Sequence, residues 1–186
     1  MPNMNVTLIA GSNRTNAAST CLLRSIERLL KARQISVRFV DLSELPLPLF
    51  SPDNLELHPN AQLLLEAIAD GDGLILATPE YHGSLSGTLK NALDYITAGQ
   101  VAGKAVLSVS SAGGPLGVSS LSHLQTIVRN LHGINCPEWI SIGAGSPAFG
   151  PDGSLSDEGM RQRVQDAVHS FVELTGKLKA APAAVN

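Results

Sequence analysis

Three short segments carry the residues whose types and spacing could do chemistry. The first, Gly11-Ser12-Asn13-Arg14-Thr15-Asn16-Ala17-Ala18-Ser19-Thr20, lies between an apolar run and a helical pattern. It offers a glycine for the turn, hydroxyls at Ser12, Ser19 and Thr20, and one guanidinium at Arg14. Beside a helix N-terminus these suit an anion, because the free N–H groups and the helix dipole already favour negative charge there. One terminal phosphate fits better than a triphosphate. The segment lacks the Gly-x-x-x-x-Gly-Lys-[Ser/Thr] pattern, and Gly99 to Lys104 imitates that pattern without its spacing or its final hydroxyl. It also lacks Gly-x-Gly-x-x-Gly, which disfavours dinucleotide binding of the Rossmann kind. An ordinary Ser/Thr/Asn-rich connection into a capped helix accounts for the same residues, and this segment alone leaves both readings open.

The second segment is Pro79-Glu80-Tyr81-His82-Gly83-Ser84-Leu85-Ser86-Gly87-Thr88-Leu89-Lys90-Asn91. It is longer than a plain connector of about 2–6 residues. Polar, aromatic and glycine-rich, it can bring backbone amides to the edge of a planar ligand. Gly83 to Gly87 is not a nucleophile elbow, since Leu85 stands at its centre where serine is required. The third segment, Ser110-Ser111-Ala112-Gly113-Gly114-Pro115-Leu116-Gly117, is built of small residues that let a flat ring lie close to the backbone.

These segments need a frame that brings them together. Short apolar runs alternate with helical patterns along the whole chain. Val6–Ala10, Ile35–Val40, Gly73–Thr78, Ala105–Ser110 and Ile134–Ile142 read as strands, the third stopped by Pro79 and the fifth starting after or bending at Pro137. The alternation in Ile35–Val40 suits an edge strand. Helices are expected over about 19–32, 60–69, 88–97, 117–132 and 158–177. Nearly continuous apolar strands mean that both faces of the sheet are covered, so the sheet should be parallel and doubly wound, in the order 2-1-3-4-5. Ligands then sit beyond the carboxyl ends of the strands, which is where the three segments fall. The Pro-rich stretch Leu45 to Phe50 excludes regular structure, yet its apolar residues should pack.

The 186 residues make one domain, 1–186, with a tail 180–186 that has little to pack and is expected to be flexible. Net charge is −3, and no basic stripe points to nucleic acid. Arg24, Arg28, Lys31 and Arg33 read as a solvated helix face. No apolar stretch is long enough to span a membrane, and no signal peptide is visible. Cys21 and Cys136 form no CxxC pair, and a reduced, cytoplasmic protein is the simplest inference. His58, His123, His132 and His169 suit surface or capping roles, and Asp152, Asp157 and Glu158 a helix N-terminal cluster rather than a metal site. Lys90 and Asp94, four apart, can pair with each other or lie at a subunit interface.

Pro79-Glu80-Tyr81-His82-Gly83-Ser84 with Leu89-Lys90-Asn91-Ala92-Leu93-Asp94 strongly resembles the NADPH-dependent FMN reductase family, which includes azoreductases, chromate reductases and quinone reductases. Gly11-Ser12-Asn13-Arg14 with Ser19 resembles its phosphate loop, and Ser111-Ala112-Gly113-Gly114 its third flavin loop. The resemblance spans about residues 4–175. It departs at Val118, where relatives often carry a second glycine, and this bears on the shape of the third loop.

The resemblance implies a flavodoxin-like three-layer α/β fold and bound FMN. Ser12, Arg14, Ser19 and Thr20 would hold the phosphate. Pro79, Glu80, Tyr81, His82 and Gly83 would meet the ribityl chain and ring, largely through backbone groups, and Ser111, Ala112, Gly113 and Gly114 would flank the other edge. No side chain is assigned as catalytic, because the flavin carries the redox chemistry; His82 is a candidate proton donor, and Tyr81 suits a ring-edge or interface contact better than a catalytic acid. NADPH or NADH would reduce the flavin in a ping-pong cycle that serves quinones, azo compounds, free flavin or chromate. The resemblance also implies a homodimer or homotetramer. A flavodoxin-like electron carrier and a non-catalytic FMN-binding module are the alternatives, and a net charge of only −3 argues against the carrier.

Overall fold

The computed structural model describes residues 4–54, 56–144, 149–150 and 153–180. The tail 181–186 and Asp152 lie outside them. Four parallel strands form the body of one sheet: β1 (Asn5–Ala10), β2 (Ser36–Asp41), β3 (Gly73–Tyr81) and β5 (Ala105–Ser111). Two short pieces, β6 (Ile134–Asn135) and β7 (Ile140–Ile142), share the fifth position, both pairing in parallel with β5. The order is β2-β1-β3-β5-β6, so the expected 2-1-3-4-5 arrangement holds with its last strand split around Pro137. Proline has no N–H to give a ladder. The alternating strand β2 lies at the edge.

The apolar strands are buried on both faces. Leu8, Ile75, Leu107 and Val109 pack with Leu22, Leu23, Ile26 and Leu30 of α1 (Ala18–Ala32) and with Val164, Val168 and Phe171 of α6 (Glu158–Ala180). Their neighbours Ile9, Leu74, Leu76 and Val106 point the other way. They meet Leu64 and Ile68 of α2 (Pro59–Asp70), Leu89 and Leu93 of α3 (Gly87–Asp94), and Leu124 and Val128 of α5 (Val118–Asn130). Each fully buried Leu or Ile contributes about 1.5–3 kcal/mol, so this two-sided burial sets the strand register.

Three boundaries differ from expectation. The helix expected over 88–97 ends at Asp94, and a single turn, α4 (Ala98–Val101), follows, with Gln100 Oε1 accepting from Thr97 N at 2.7 Å. Strand β3 does not stop at Pro79 but runs on to Tyr81. Ala77 turns its backbone toward β1, its carbonyl accepting from Gly11 N at 2.8 Å. Pro79 faces that same side two residues later, beyond the last residue of β1, so its missing N–H leaves no ladder bond unmade. Beyond it, β3 folds back into β4 (Ser84–Leu85), an antiparallel pairing that periodicity does not reveal in so short a strand.

Of the Pro-rich loop, Leu45 and Leu47 pack on the core, while Leu49 is 87% exposed. The basic face of α1 is more engaged than a solvated face: Arg24 and Lys31 pair with Glu27, Arg24 lies over the Phe39 ring, and Arg28 Nη2 donates to the Ser25 hydroxyl and the Gly153 carbonyl. Lys90 pairs with Asp94 at 2.6 Å. His58 caps α2, its Nδ1 accepting from Asn60 N at 3.1 Å. Lys104 Nζ donates to the carbonyls of Ile68 and Ala69 at the C-terminus of α2, and burial lowers its pKa.

Candidate flavin site

A cleft of about 330 Å³ opens beyond the carboxyl ends of β1, β3 and β5. It is lined by residues of all three predicted segments: Arg14 from the first, Pro79, Glu80 and Tyr81 from the second, and Ser111, Ala112 and Gly113 from the third. Ala17, Ala18, Ile142 and Gly143 complete the lining; of the expected site residues, Ser12, Ser19, Thr20 and Gly114 are not in it, although they are next to or within two residues of ones that are.

The first loop ends on a helix with no side-chain cap. Residue Ala17 is the N-cap of α1, and no acidic residue occupies the first turn. The N–H groups of that turn therefore lack the usual acceptor. Two hydroxyls beside them are also unanswered: Ser19 Oγ and Thr20 Oγ1 are buried with no hydrogen-bond partner. Leaving such a group unpaired costs about 1–3 kcal/mol, so its presence points to a ligand acceptor. Arg14 is exposed and makes no ion pair among the described residues. Ser12 is buried, and its Oγ accepts from Arg14 N at 3.1 Å, which shapes the turn. Uncapped amides, orphaned hydroxyls and a free guanidinium together fit a phosphate. The capped-helix reading of this segment does not hold.

The second loop is held from both sides. Ser86 caps α3, its Oγ accepting from Leu89 N at 3.0 Å and donating to the Gly11 carbonyl, while Ser86 N donates to Thr78 Oγ1 at 2.9 Å. One residue, through its side chain and its backbone N–H, thus fixes the ends of β1 and β3 to the start of α3. His82 and Gly83 have φ of 51° and 74° and form the two-residue turn between β3 and β4. Two positive φ values mark a type I′ hairpin, for which Gly83 suits its position and His82 is an uncommon choice. Neither residue is in the cleft lining, and His82 is exposed. Tyr81 reaches the cleft and is 47% exposed.

The third loop owes its shape to β7. Ala112 N donates to the Ile142 carbonyl at 2.9 Å, and Ala144 N to the Gly114 carbonyl at 2.8 Å. A Cβ on Gly143 would stand 2.0 Å from the Pro115 carbonyl oxygen, so only glycine lets the loop lie there. Nothing lies within 4 Å of the Cβ positions of Gly113 and Gly114, which leaves an open face. Val118 begins α5 and is 40% exposed, so the departure from a second glycine falls on a helix start rather than within the loop. Sequence reasoning missed Ile142 and Gly143. Their place at the carboxyl end of the last strand was the signal that could have found them.

No group of His, Cys, Asp and Glu among the described residues is arranged to hold a metal. No helix among them is long and apolar enough to cross a membrane.

Known proteins share both this sequence and this shape. The sequence profile of the NADPH-dependent FMN reductases matches residues 4–146. Over 175 residues the chain is 36% identical to an FMN-dependent NADPH-azoreductase of Staphylococcus aureus, covering 89% of this chain and 93% of the relative. It superposes on FerB, a flavoenzyme NAD(P)H:(acceptor) oxidoreductase from Paracoccus denitrificans, with a TM-score of 0.80, 24% identity, and 94% and 98% of the two chains covered. It also superposes on the apo form of the NADH:FMN oxidoreductase EMOB, with a TM-score of 0.77, 21% identity, and 97% and 93% covered. The structural likeness shows a flavodoxin-like fold, and the sequence match reaches further: this chain belongs to the NADPH-dependent FMN reductase family.

Proposed function

We propose that this FMN- and NADPH-dependent oxidoreductase binds its flavin in the cleft beyond β1, β3 and β5 and reduces small, flat electron acceptors there. The observation that carries the site is the pair of buried, unpartnered hydroxyls, Ser19 Oγ and Thr20 Oγ1, beside the uncapped start of α1. With Arg14 they would hold the phosphate, and Ser12 would shape their loop. Pro79, Glu80 and Tyr81 supply the backbone on one side, with His82 and Gly83 making the turn just beyond them, and Ser111, Ala112, Gly113 and Gly114 the small residues on the other. When bound, FMN supplies the redox chemistry, accepting hydride from NADPH and delivering electrons to the acceptor. The chain's residues bind, orient and limit access of water. No side chain is needed as a catalytic acid, and the exposure of His82 outside the cleft lining suits a turn residue better than a proton donor.

Quinones and azo compounds are the acceptors that best match a cleft flanked by exposed apolar groups, with free flavin and chromate as further acceptors. Tyr81 lines the cleft, and Leu116 and Val118 lie on and just after its third loop. Three exposed large apolar residues around one opening favour cover by a second copy, hence a homodimer or homotetramer. We place the protein in the cytoplasm, where its two free thiols stay reduced.

The test is direct. Purified protein loaded with FMN is mixed with NADPH and a quinone or azo dye, and the loss of nicotinamide absorbance is followed. Turnover with saturation in both substrates is expected. A protein that holds FMN but oxidises no NADPH with any acceptor would sink the reading in favour of a carrier or a binding module. Light scattering on the same sample checks the oligomer, and a monomer would remove that part.

A further inference from the structure

The second and third loops of the cleft are joined by bonds that flavin binding does not by itself require. Helix α5 has glycine at its N-cap, Gly117, and so has no capping side chain of its own. The acceptor comes instead from 40 residues away: Glu80 Oε2 accepts from Ser120 N at 2.8 Å. A carboxylate on a helix N-terminus makes a charge-assisted bond, stronger than a neutral cap. Glu80 lies between Pro79 and Tyr81, both of which line the cleft. Its side chain thus ties the second loop to the helix that follows the third.

The tie continues into a buried hydroxyl network. Ser120 Oγ donates to the Gly117 carbonyl at 3.0 Å, and Ser110 Oγ to the same oxygen at 2.9 Å. Gly117 N donates to Ser141 Oγ at 2.8 Å, and the hydroxyls of Ser141 and Ser110 are 2.9 Å apart. One proton per hydroxyl closes a ring, from Gly117 N–H to Ser141 to Ser110 and back to the Gly117 carbonyl, with every donor used. Ser110, Ser120 and Ser141 are all buried. The hairpin has a second contact with the same helix, Ser84 Oγ lying 2.9 Å from His123 Nδ1.

We propose that Glu80 is a positioning residue of the flavin site, its carboxylate serving as the missing N-cap acceptor of α5 and so fixing the second loop against the third. This rests on the FMN reading of the cleft. Pro79 and Tyr81 present their backbone to the ligand only if the residue between them is anchored. Without the anchor, the spacing between Pro79–Tyr81 and Ser111–Gly113 is set at the moment of binding, and ordering the loop then opposes association.

The experiment compares Glu80→Ala with Glu80→Gln, which keeps a side-chain acceptor but no charge. FMN is titrated by quenching of its fluorescence, and amide hydrogen exchange over residues 118–122 is followed on flavin-free protein. The Ala variant should exchange faster at Ser120 and bind FMN about tenfold more weakly, the loss expected for one hydrogen bond to a charged group. The Gln variant should restore affinity to within about threefold and restore protection at Ser120. Unchanged exchange and affinity in the Ala variant would overturn the proposal. A Gln variant as weak as Ala would also overturn it, since charge rather than the tether would then be what matters. If the unaltered chain binds no FMN, the flavin reading fails, and the exchange comparison alone decides whether the tether exists. Should Glu80→Ala fail to fold, Glu80→Met removes the acceptor while filling its volume, with the same expected outcomes.

Discussion

Several hydroxyls surround the start of α1 and several surround the starts of α3 and α5, yet the two groups are used in opposite ways. Around the start of α1, Ser19 and Thr20 hold buried oxygens without partners, and the helix is uncapped. Around the starts of α3 and α5, Thr78, Ser86, Ser110, Ser120 and Ser141 are bonded to backbone or to each other. The saturated groups give the cleft its shape and contribute to stability without a ligand. The unsatisfied groups cost stability in the free protein, which a bound phosphate would return. In these loops a hydroxyl's assignment to structure or to ligand is read from its bonding account together with its place beside the cleft, since Ser108 Oγ, inside β5, is also buried without a partner.

That contrast can be broken by substitution. Ser86→Ala should show the largest effect, a loss of about 2–4 kcal/mol in denaturant unfolding of the flavin-free protein, because it removes a helix cap and strands the buried Gly11 carbonyl. Arg14→Ala should leave flavin-free stability unchanged and weaken FMN by about tenfold to a hundredfold in a fluorescence titration, the value of a charged hydrogen bond of about 1.5–3 kcal/mol. Ser110→Ala or Ser141→Ala should lower the stability of the flavin-free protein by about 1–2 kcal/mol in thermal unfolding, the first by leaving the Ser141 hydroxyl without its partner and the second by leaving Gly117 N unanswered.

The sharpest outcome is a reversal of sign. Ser19→Ala and Thr20→Val should leave the flavin-free protein as stable as before or more so, by up to about 1 kcal/mol, while weakening FMN about fivefold. If instead they destabilise the flavin-free protein as the Ser110 and Ser141 variants do, the distinction between the two loops is lost.

A control away from the cleft concerns Cys136, beside the split of the fifth strand. Burial, with a smaller push from the Glu138 charge, raises its thiol from the ordinary range to about 12. The folded protein keeps a proton that the unfolded chain releases above about pH 8.5. This contribution is therefore complete below that pH and falls away as pH climbs toward 12. Between pH 7 and 9 the loss should be about 0.8 kcal/mol, absent in Cys136→Ala, and the same with and without FMN.

Much of this was legible in the sequence. Continuous apolar runs with buried faces on both sides gave the parallel sheet, its strand order and the ends where ligands sit. The three loops could be named because residue types alone mark hydroxyls, a guanidinium and glycines. What the residue types could not carry was the bonding account. Ser19 and Ser110 are the same amino acid, and only the positions of distant carbonyls and amides make one an orphan and the other a strut. In the sequence Glu80 reads only as a backbone contact, because its partner Ser120 is 40 residues away and no local pattern joins them. The β3–β4 hairpin is hidden because a two-residue strand has no period, and Pro79 reads as a stop although its missing donor matters only where a strand lies on its N–H side, and here β5 lies on the other.

That proline has a consequence for solubility. Past Ala77, β3 outlasts β1, and β4 folds back to pair with Glu80 and Tyr81, so Pro79 falls in the gap between the two pairings. A margin of free amides and carbonyls is adhesive, and an extended segment of another molecule could zip onto it. Pro79 has no amide to offer in that gap, so the opening can stay wide enough for a ligand without serving as a template for aggregation.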